Sequence, residues 1–415
     1  MPKSVHIFSL FAIAYFVGYF FRTANAVIAP DLSREFALSA SDLGLMTSLF
    51  YAAFALVLLP VGIGLDRYGP RYVTSSVMAL AALGCLLFAS AQSFAGLAAG
   101  RAFLGAGTAG ILMGALKAFS RWYPPHLHTT ASGLVIGVGT VGSLVSTTPL
   151  SALNAAFGWR AVFAAGAVVI TASAGAIMLW IRDSPAGGTE SPAHQEGGLG
   201  AVFSDVRFWR IVGLNFFMTG TQIATQSLWA GVYLYDVPRL GPLAAGGVLL
   251  WMALGVVMGS TGSGRLAGHW GVARVIVAAA AIFILSQGAL ALIPPREWLR
   301  PVYFAFGASG VVGVMLLAQT RFIFPPSLSG RGVTAVNVFG LSGTFVLQWV
   351  MGVVISGFPA DVHGHYPPHA YTAAFAITAL GTLVTLLWYL PMMRTNELRP
   401  PNAGVGIASR ANPIG

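Results

Sequence analysis

What most restricts this chain is a recurrence. Apolar runs of about 20 residues, each enough to cross roughly 30 Å of hydrocarbon as a helix, follow one another with only short polar or Pro/Gly breaks between them. Twelve can be counted, over approximately 8–30, 43–63, 72–92, 95–120, 130–153, 161–181, 209–234, 242–263, 273–293, 302–323, 332–357 and 371–392. A spanning segment must satisfy its own backbone N–H and C=O groups, which leaves helices and closed barrels as the options. Barrel strands would show short alternating segments, and these runs do not alternate. With 56% hydrophobic residues, 8% charged and a mean hydropathy of +0.77, the chain has more apolar surface than a soluble core of its length can hide. The expectation is an all-α integral membrane protein with twelve transmembrane helices.

The chain also contains itself twice. Gly69 recurs as Gly271, Pro124-Pro125 as Pro325-Pro326, Gly139 as Gly340 and Gly142 as Gly343, all at an offset of 201 or 202 residues. Four landmarks in register indicate a parallel repeat. Residues 183–206 form the one long polar interior stretch, rich in Pro, Gly and Ser. They read as a cytoplasmic linker between six-helix halves at 1–182 and 207–394, with a tail at 395–415. In bundles of this kind the solute site lies near the bilayer midplane between the halves, and transport is a rocking of one half against the other.

The net charge of +10 comes from basic residues scattered in ones and twos rather than gathered on a face, so it does not point to nucleic acid. With the N-terminus placed in the cytoplasm, 15 of the 22 Lys/Arg fall on the cytoplasmic side, 5 outside (Arg34, Arg160, Arg239, Arg296, Arg300) and 2 within helices. That is the positive-inside bias; it puts both termini in the cytoplasm and the chain in the cell's inner membrane. Cys85, the single cysteine, lies in an apolar run and excludes disulfides and a cysteine metal site. The opening residues run into the first span without a small-residue cleavage site, so that span reads as retained.

Between the second and third runs lies Gly62-Ile-Gly-Leu-Asp66-Arg67-Tyr-Gly69-Pro-Arg71. A weaker copy, Gly264-Arg265-Leu-Ala-Gly268-His269-Trp270-Gly271-Val-Ala-Arg274, follows the eighth run. The first stretch resembles the signature loop of the major facilitator superfamily, with Asp66 and Arg71 matching and Pro70 and Tyr72 standing where basic residues are common. Arg101-Ala-Phe-Leu-Gly105-Ala-Gly107 in the fourth run resembles a second motif of that superfamily, and Gly158-Trp159-Arg160 fits as well. The resemblance covers essentially the whole chain. It implies the major facilitator fold, a monomer that carries a solute, and no cofactor. The fifth run has Gly133, Gly137, Gly139, Gly142 and Pro149, but not the Gly-Pro pair and Gly-Gly of proton-driven drug antiporters. Asp66 can face the positive end of a neighbouring helix, the eleventh by this reading, and pair with nearby arginines such as Arg67 and Arg71 as a latch on the cytoplasmic side. The plainer reading is an acid that only shapes a turn. Gly268 replaces the acid in the second copy, so a matching latch there is weaker or absent.

Arg22 is the sharpest candidate for solute contact. An arginine inside a transmembrane helix costs about 2.5–3.5 kcal/mol on insertion scales, a cost tolerated where the side chain faces a watery cavity. Tyr15, Tyr19 and Arg22 share one helical face and together make an anion clamp. Tyr19-Phe-Phe-Arg22, with Pro30 eight residues on, resembles the first helix of the organophosphate:phosphate antiporter group, where the matching arginine binds phosphate. That group has a second binding arginine in the seventh helix. Here the seventh run carries Asn215, Thr219, Gln222, Gln226 and Trp229 instead. One guanidinium suits a carboxylate through a two-pronged contact, so a small organic anion is preferred over a sugar phosphate. The long glycine-rich signature of nitrate porters is not found in the fifth or eleventh run.

Lesser cavity candidates are Thr140, Ser143 and Thr147 on the fifth run and Asn337, Thr344 and Gln348 on the eleventh; polar groups of this sort often bind only a neighbouring helix. Arg101 reads as a structural or coupling arginine, and Lys117 as a snorkelling one. His126, His128, His363, His365 and His369 lie in loops and read as solvated rather than metal-binding. None of the twelve acids falls mid-span, so a cavity holding Arg22 is net positive and lacks a buried proton carrier. Import of one negative charge against an inside-negative potential costs about 2.3 kcal/mol per 100 mV. Anion exchange, or proton symport with the proton on the solute or on Asp31 or Asp42, follows as the expected coupling; export driven by the potential fits equally. Two alternatives stand beside this: a proton-coupled exporter or facilitator of neutral solutes, and a non-transporting membrane ligand sensor. Enzymatic residue patterns are absent.

Overall fold

The computed structural model describes residues 3–181, 199–362 and 364–393. Most of the proposed linker and the whole tail lie outside them. Every regular element among the described residues is a helix. The first span comprises Lys3–Thr23 and Asn25–Phe36; the second and third run on as Ala40–Ala89; the fourth is Phe94–Thr108 and Ile111–Trp122. The fifth and sixth occupy Pro125–Val145 and Thr148–Trp180, and the seventh Val206–Ala224 with Thr225–Trp229 and Ala230–Asp236. Pro242–Trp270 and Val272–Ala291 are the eighth and ninth, Leu299–Gly310 with Val314–Ile323 the tenth, Pro326–Ser356 the eleventh and Pro368–Tyr389 the twelfth.

Among the described residues nine helices are long and apolar enough to cross a membrane. The count falls below twelve because the second and third spans run on as one helix, the apolar part of the fifth is the short Thr130–Val145, and the seventh carries polar residues along its length. At Gly69 and Gly158 the backbone takes φ of 83° and 78°, a conformation that L side chains rarely adopt, and the chain reverses without losing helical hydrogen bonding on either side. Gly271 does the same in the second half with φ of 86°. The helices outrun the apolar runs by several residues at many ends, because a helix continues past the hydrocarbon wherever a cap supplies partners. Ser39 caps the second span and Asp42 reaches back to it in a reciprocal capping box.

The repeat seen in the sequence is geometric. A side chain at Gly142 would meet the Phe16 carbonyl oxygen at 2.2 Å, and one at Gly343 would meet the Phe216 carbonyl oxygen at 2.4 Å. The fifth span thus presses on the first as the eleventh presses on the seventh. Pro125 and Pro326 each open their helix at its first turn, where the missing N–H costs nothing.

Even numbers of crossings bring Lys3 and Met393 to one face, here the terminal face. The bonds that join the halves cluster at the opposite face. Ala40 N–H donates to the Tyr366 hydroxyl at 3.0 Å, Ser41 N–H to Ser356 Oγ at 2.7 Å, and the Tyr235 hydroxyl to the Val27 carbonyl at 3.2 Å. Gly44 brings the second span against the backbone of Gln348 in the eleventh, and Gly231 brings the seventh against Ala26 in the first. The halves are therefore pressed together on that side.

Candidate substrate-binding site

The first span breaks between Thr23 and Asn25, one residue beyond Arg22. Carbonyls in the last turn before such a break lack intrahelical donors. Arg101 Nη1 supplies one to the Phe21 carbonyl at 2.8 Å, and Asn25 Nδ2 ties the second half of the span to Thr47 Oγ1 at 2.8 Å. Arg101 is fully buried, with its guanidinium 4.9 Å from the Phe50 ring centre and with Nε and Nη2 unpartnered. Its geometry is that of a brace behind the break.

Arg22 itself stays half-buried. Its guanidinium lies 5.2 Å from the Tyr19 ring centre and 5.3 Å from that of Tyr51. The Tyr15 ring centre lies 4.8 Å from that of Tyr19, the two rings tilted by 60°. Among the described residues no carboxylate pairs with Arg22. A positive charge held by aromatic faces, weakly solvated and without a counter-ion, is a receptor for an anion. Tyr51 is the member that sequence reasoning missed. It sits in the middle of the second span, flanked by Phe50 and Ala52, and its buried hydroxyl is turned toward the Arg22 guanidinium.

The second half contributes differently. Asn215 donates to the Val336 carbonyl at 2.9 Å and accepts from Thr219 at 2.7 Å, which fastens the seventh span to the eleventh. In this structure both ends of its side-chain amide are engaged within the protein, as a fully buried amide requires. Trp229 is likewise fully buried, donating to the Gln348 carbonyl at 3.0 Å, while Ser227 reaches Gln348 Oε1 at 3.4 Å. Gln222 faces Gly310 of the tenth span with neither amide atom bonded. Gln226 lines the space between the halves with Thr23, Ser143, Ser146 and Thr147. It stands on the π-helical turn Thr225–Trp229, a distortion that re-aims side chains and recurs at functional sites. Asn337 is half-buried, and Thr344 bonds the Gly340 carbonyl of its own helix.

Of the gating candidates, Asp66 pairs with Lys117 at the end of the fourth span. The partner expected from sequence was the eleventh helix with nearby arginines; the acid instead bonds within its own half. A lysine read as merely snorkelling is its partner. Arg71 Nε donates to the Met178 carbonyl at 2.6 Å, which joins the third span to the sixth, and Arg67 stacks on Tyr68. The acids considered as proton carriers are also engaged: Asp31 with Arg34 and with Asn154 Nδ2, and Asp42 in its capping box. His365 Nδ1 lies 2.8 Å from an Asp236 carboxylate oxygen, His128 lies near the Leu116 carbonyl, and His363 and the His126 side chain fall outside the described residues.

An all-helical, many-span plan with an internal repeat is the plan of a membrane solute carrier. The family description "Major Facilitator Superfamily" matches residues 11–348, and the chain belongs to that superfamily. A probable sulfoacetate transporter of Cupriavidus necator is 25% identical over 416 residues, covering 92% of this chain and 92% of that one. A hexuronate transporter of Escherichia coli K12 is 23% identical over 418 residues, covering 91% and 92%. Despite the missing glycine-rich signature, a nitrate/nitrite transporter of a Picosynechococcus species is 28% identical over 235 residues, covering 50% of this chain and 43% of its own. In structure, a bacterial homologue of the human lysosomal transporter Spinster superposes with a TM-score of 0.78 at 18% identity, covering 97% and 99%.

Proposed function

We propose that this protein is a secondary transporter for a small organic anion that presents a carboxylate to Arg22. The observation that carries the reading is the Arg22 guanidinium, held between Tyr19 and Tyr51 beside the break in the first span, with no carboxylate against it among the described residues. Sulfoacetate, hexuronate and nitrate, named for the relatives, are all anions. The first-helix run Tyr19-Phe-Phe-Arg22 adds a likeness to the organophosphate:phosphate antiporters, while the seventh span, uncharged over 211–235, favours an anion with one charged end. Solute binds near the midplane between halves 1–182 and 207–394, joined by the linker 183–206, and both termini face the cytoplasm. Coupling is by counter-anion exchange or by a proton, and Asp66, Arg67, Arg71 and Arg101 act on the conformational change rather than on the solute.

The test is thermal stabilisation of the purified protein by carboxylates, phosphate esters, nitrate and neutral analogues, run in parallel on Arg22→Ala. Stabilisation by one anion class that disappears in the variant is the expected result. Stabilisation by neutral or cationic compounds alone, or equally in both proteins, overturns the reading in favour of a carrier of uncharged solutes.

A further inference from the structure

Where the first, fifth, seventh and eighth spans meet, a cluster of hydroxyls borders a space of about 10 Å³ that the arginine clamp leaves unused. Thr23, Ser143, Ser146 and Thr147 come from the first half and Gln226 from the second, and no ionisable side chain among the described residues lines it. Each hydroxyl has one proton to give. Ser143 gives its proton to the Thr140 carbonyl at 2.7 Å, and Thr147 to the Leu144 carbonyl at 2.6 Å. Thr23 and Ser146 touch at 2.6 Å, with the Tyr19 carbonyl 3.1 Å from Thr23 and the Ser143 carbonyl 2.7 Å from Ser146. Two protons serve those three contacts, so both are spent whichever way they point.

What the four oxygens still offer is lone pairs. A lone-pair surface accepts hydrogen bonds from hydroxyl groups of a solute. It resists a second anionic group, which would lose its hydration there and meet no opposite charge. Thr23 follows Arg22 in the chain at the broken turn, so the hydroxyl cluster begins on the same segment that carries the guanidinium. The space is water-sized while the halves are pressed together at the opposite face, so a solute enters it only with a change in how the halves meet.

Resting on the anion reading above, we infer that the solute is a hydroxylated monocarboxylate, its carboxylate at Arg22 and its hydroxyls against Thr23, Ser143, Ser146 and Thr147. The experiment measures apparent affinity of the full-length protein for propionate, glycerate and gluconate and for the dianions succinate and sulfoacetate, by competition in proteoliposomes. Affinity rises from propionate to gluconate by about tenfold or more, one to two net hydrogen bonds' worth, and both dianions bind more weakly than gluconate. In Ser146→Ala and in Thr147→Ala the gluconate-to-propionate ratio falls by about three- to tenfold. A wild-type ratio near one, a dianion tighter than gluconate, or an unchanged ratio in both variants overturns the inference. The wild-type series decides even if a variant fails to fold. Loss of all anion binding in Arg22→Ala together with a wild-type ratio near one breaks this inference and leaves the anion reading intact; anion binding indifferent to Arg22→Ala, or no anion binding at all, breaks both.

Discussion

The two halves repeat one backbone plan and carry opposite chemistry on it. In the first half, Arg22 and Arg101 stand either side of a broken first span, and Asp66 pairs with Lys117 at the terminal face. In the second half, the seventh span offers amides, hydroxyls and an indole, and Gly268 stands where the acid would be. Tyr15 faces Gly139 while Asn215 faces Gly340, two contacts at equivalent places, yet the first borders an anion clamp and the second is a helix tie. The difference teaches that a duplicated scaffold fixes where a site can be without fixing what each half does there. One half supplies charge and the other supplies neutral shape.

Several variants would break or sharpen that asymmetry. The largest effect is expected from Arg22→Ala, which should lower anion affinity by about a hundredfold or more, since truncating one partner of a desolvated charge pair costs 2–5 kcal/mol; Arg22→Lys should recover little because the planar fork is lost. Uptake assays in proteoliposomes, with expression and thermal unfolding as controls, decide it, and near-normal uptake in Arg22→Ala would dissolve the contrast between the halves. Arg101→Met should come next. It leaves the Phe21 carbonyl unpaired, a loss of about 1–3 kcal/mol, read as a lower unfolding midpoint; a midpoint unchanged or raised would show that the brace is dispensable.

Asp66→Asn should change rate more than affinity. The acid is largely exposed, so its bond to Lys117 contributes at most about 1 kcal/mol to stability. Exchange should slow several-fold with anion affinity preserved, and a pure affinity defect would count against a conformational role. The smallest effect concerns the seal at the opposite face. Burial raises the Asp236 carboxyl above the ordinary Asp range, against the pull of Tyr371, His365 and the Tyr366 backbone. A folded-state pKa raised in this way gives stability that is present below the unfolded value and lost as pH rises through the folded one. The contribution of Asp236 to thermal stability should therefore fall with rising pH across the acid range, with Arg239 and Asp361 nearby contributing their own ion pair. In Asp236→Asn that slope should flatten; an identical slope would remove Asp236 as its source.

Much of the architecture was legible because lipid enforces a simple code. Backbone groups in hydrocarbon must bond internally, so apolar length alone announces each span, and the glycines at 69, 139 and 142 with their copies announced the repeat. Arg22 with Tyr15 and Tyr19 was legible from helical spacing. Tyr51 was not, nor was the contact of Thr23 with Ser146, 123 residues apart, nor the choice of Lys117 as partner for Asp66. Spacing along one helix says which residues share a face, and it is silent about the neighbour that face meets.

The sequence by itself determined that this is a twelve-span carrier built twice, with a lone charge in its first helix, because hydrophobic length, glycine register and the cost of a buried arginine are local properties. Only the tertiary structure decided which polar groups are free to meet a solute. Asn215, Trp229 and Asn25 were equally polar on paper and bond to neighbouring helices here, whereas Arg22 has tyrosines but no carboxylate against it among the described residues. That sorting follows from packing, since a buried polar group takes whatever partner the adjoining helix brings within reach.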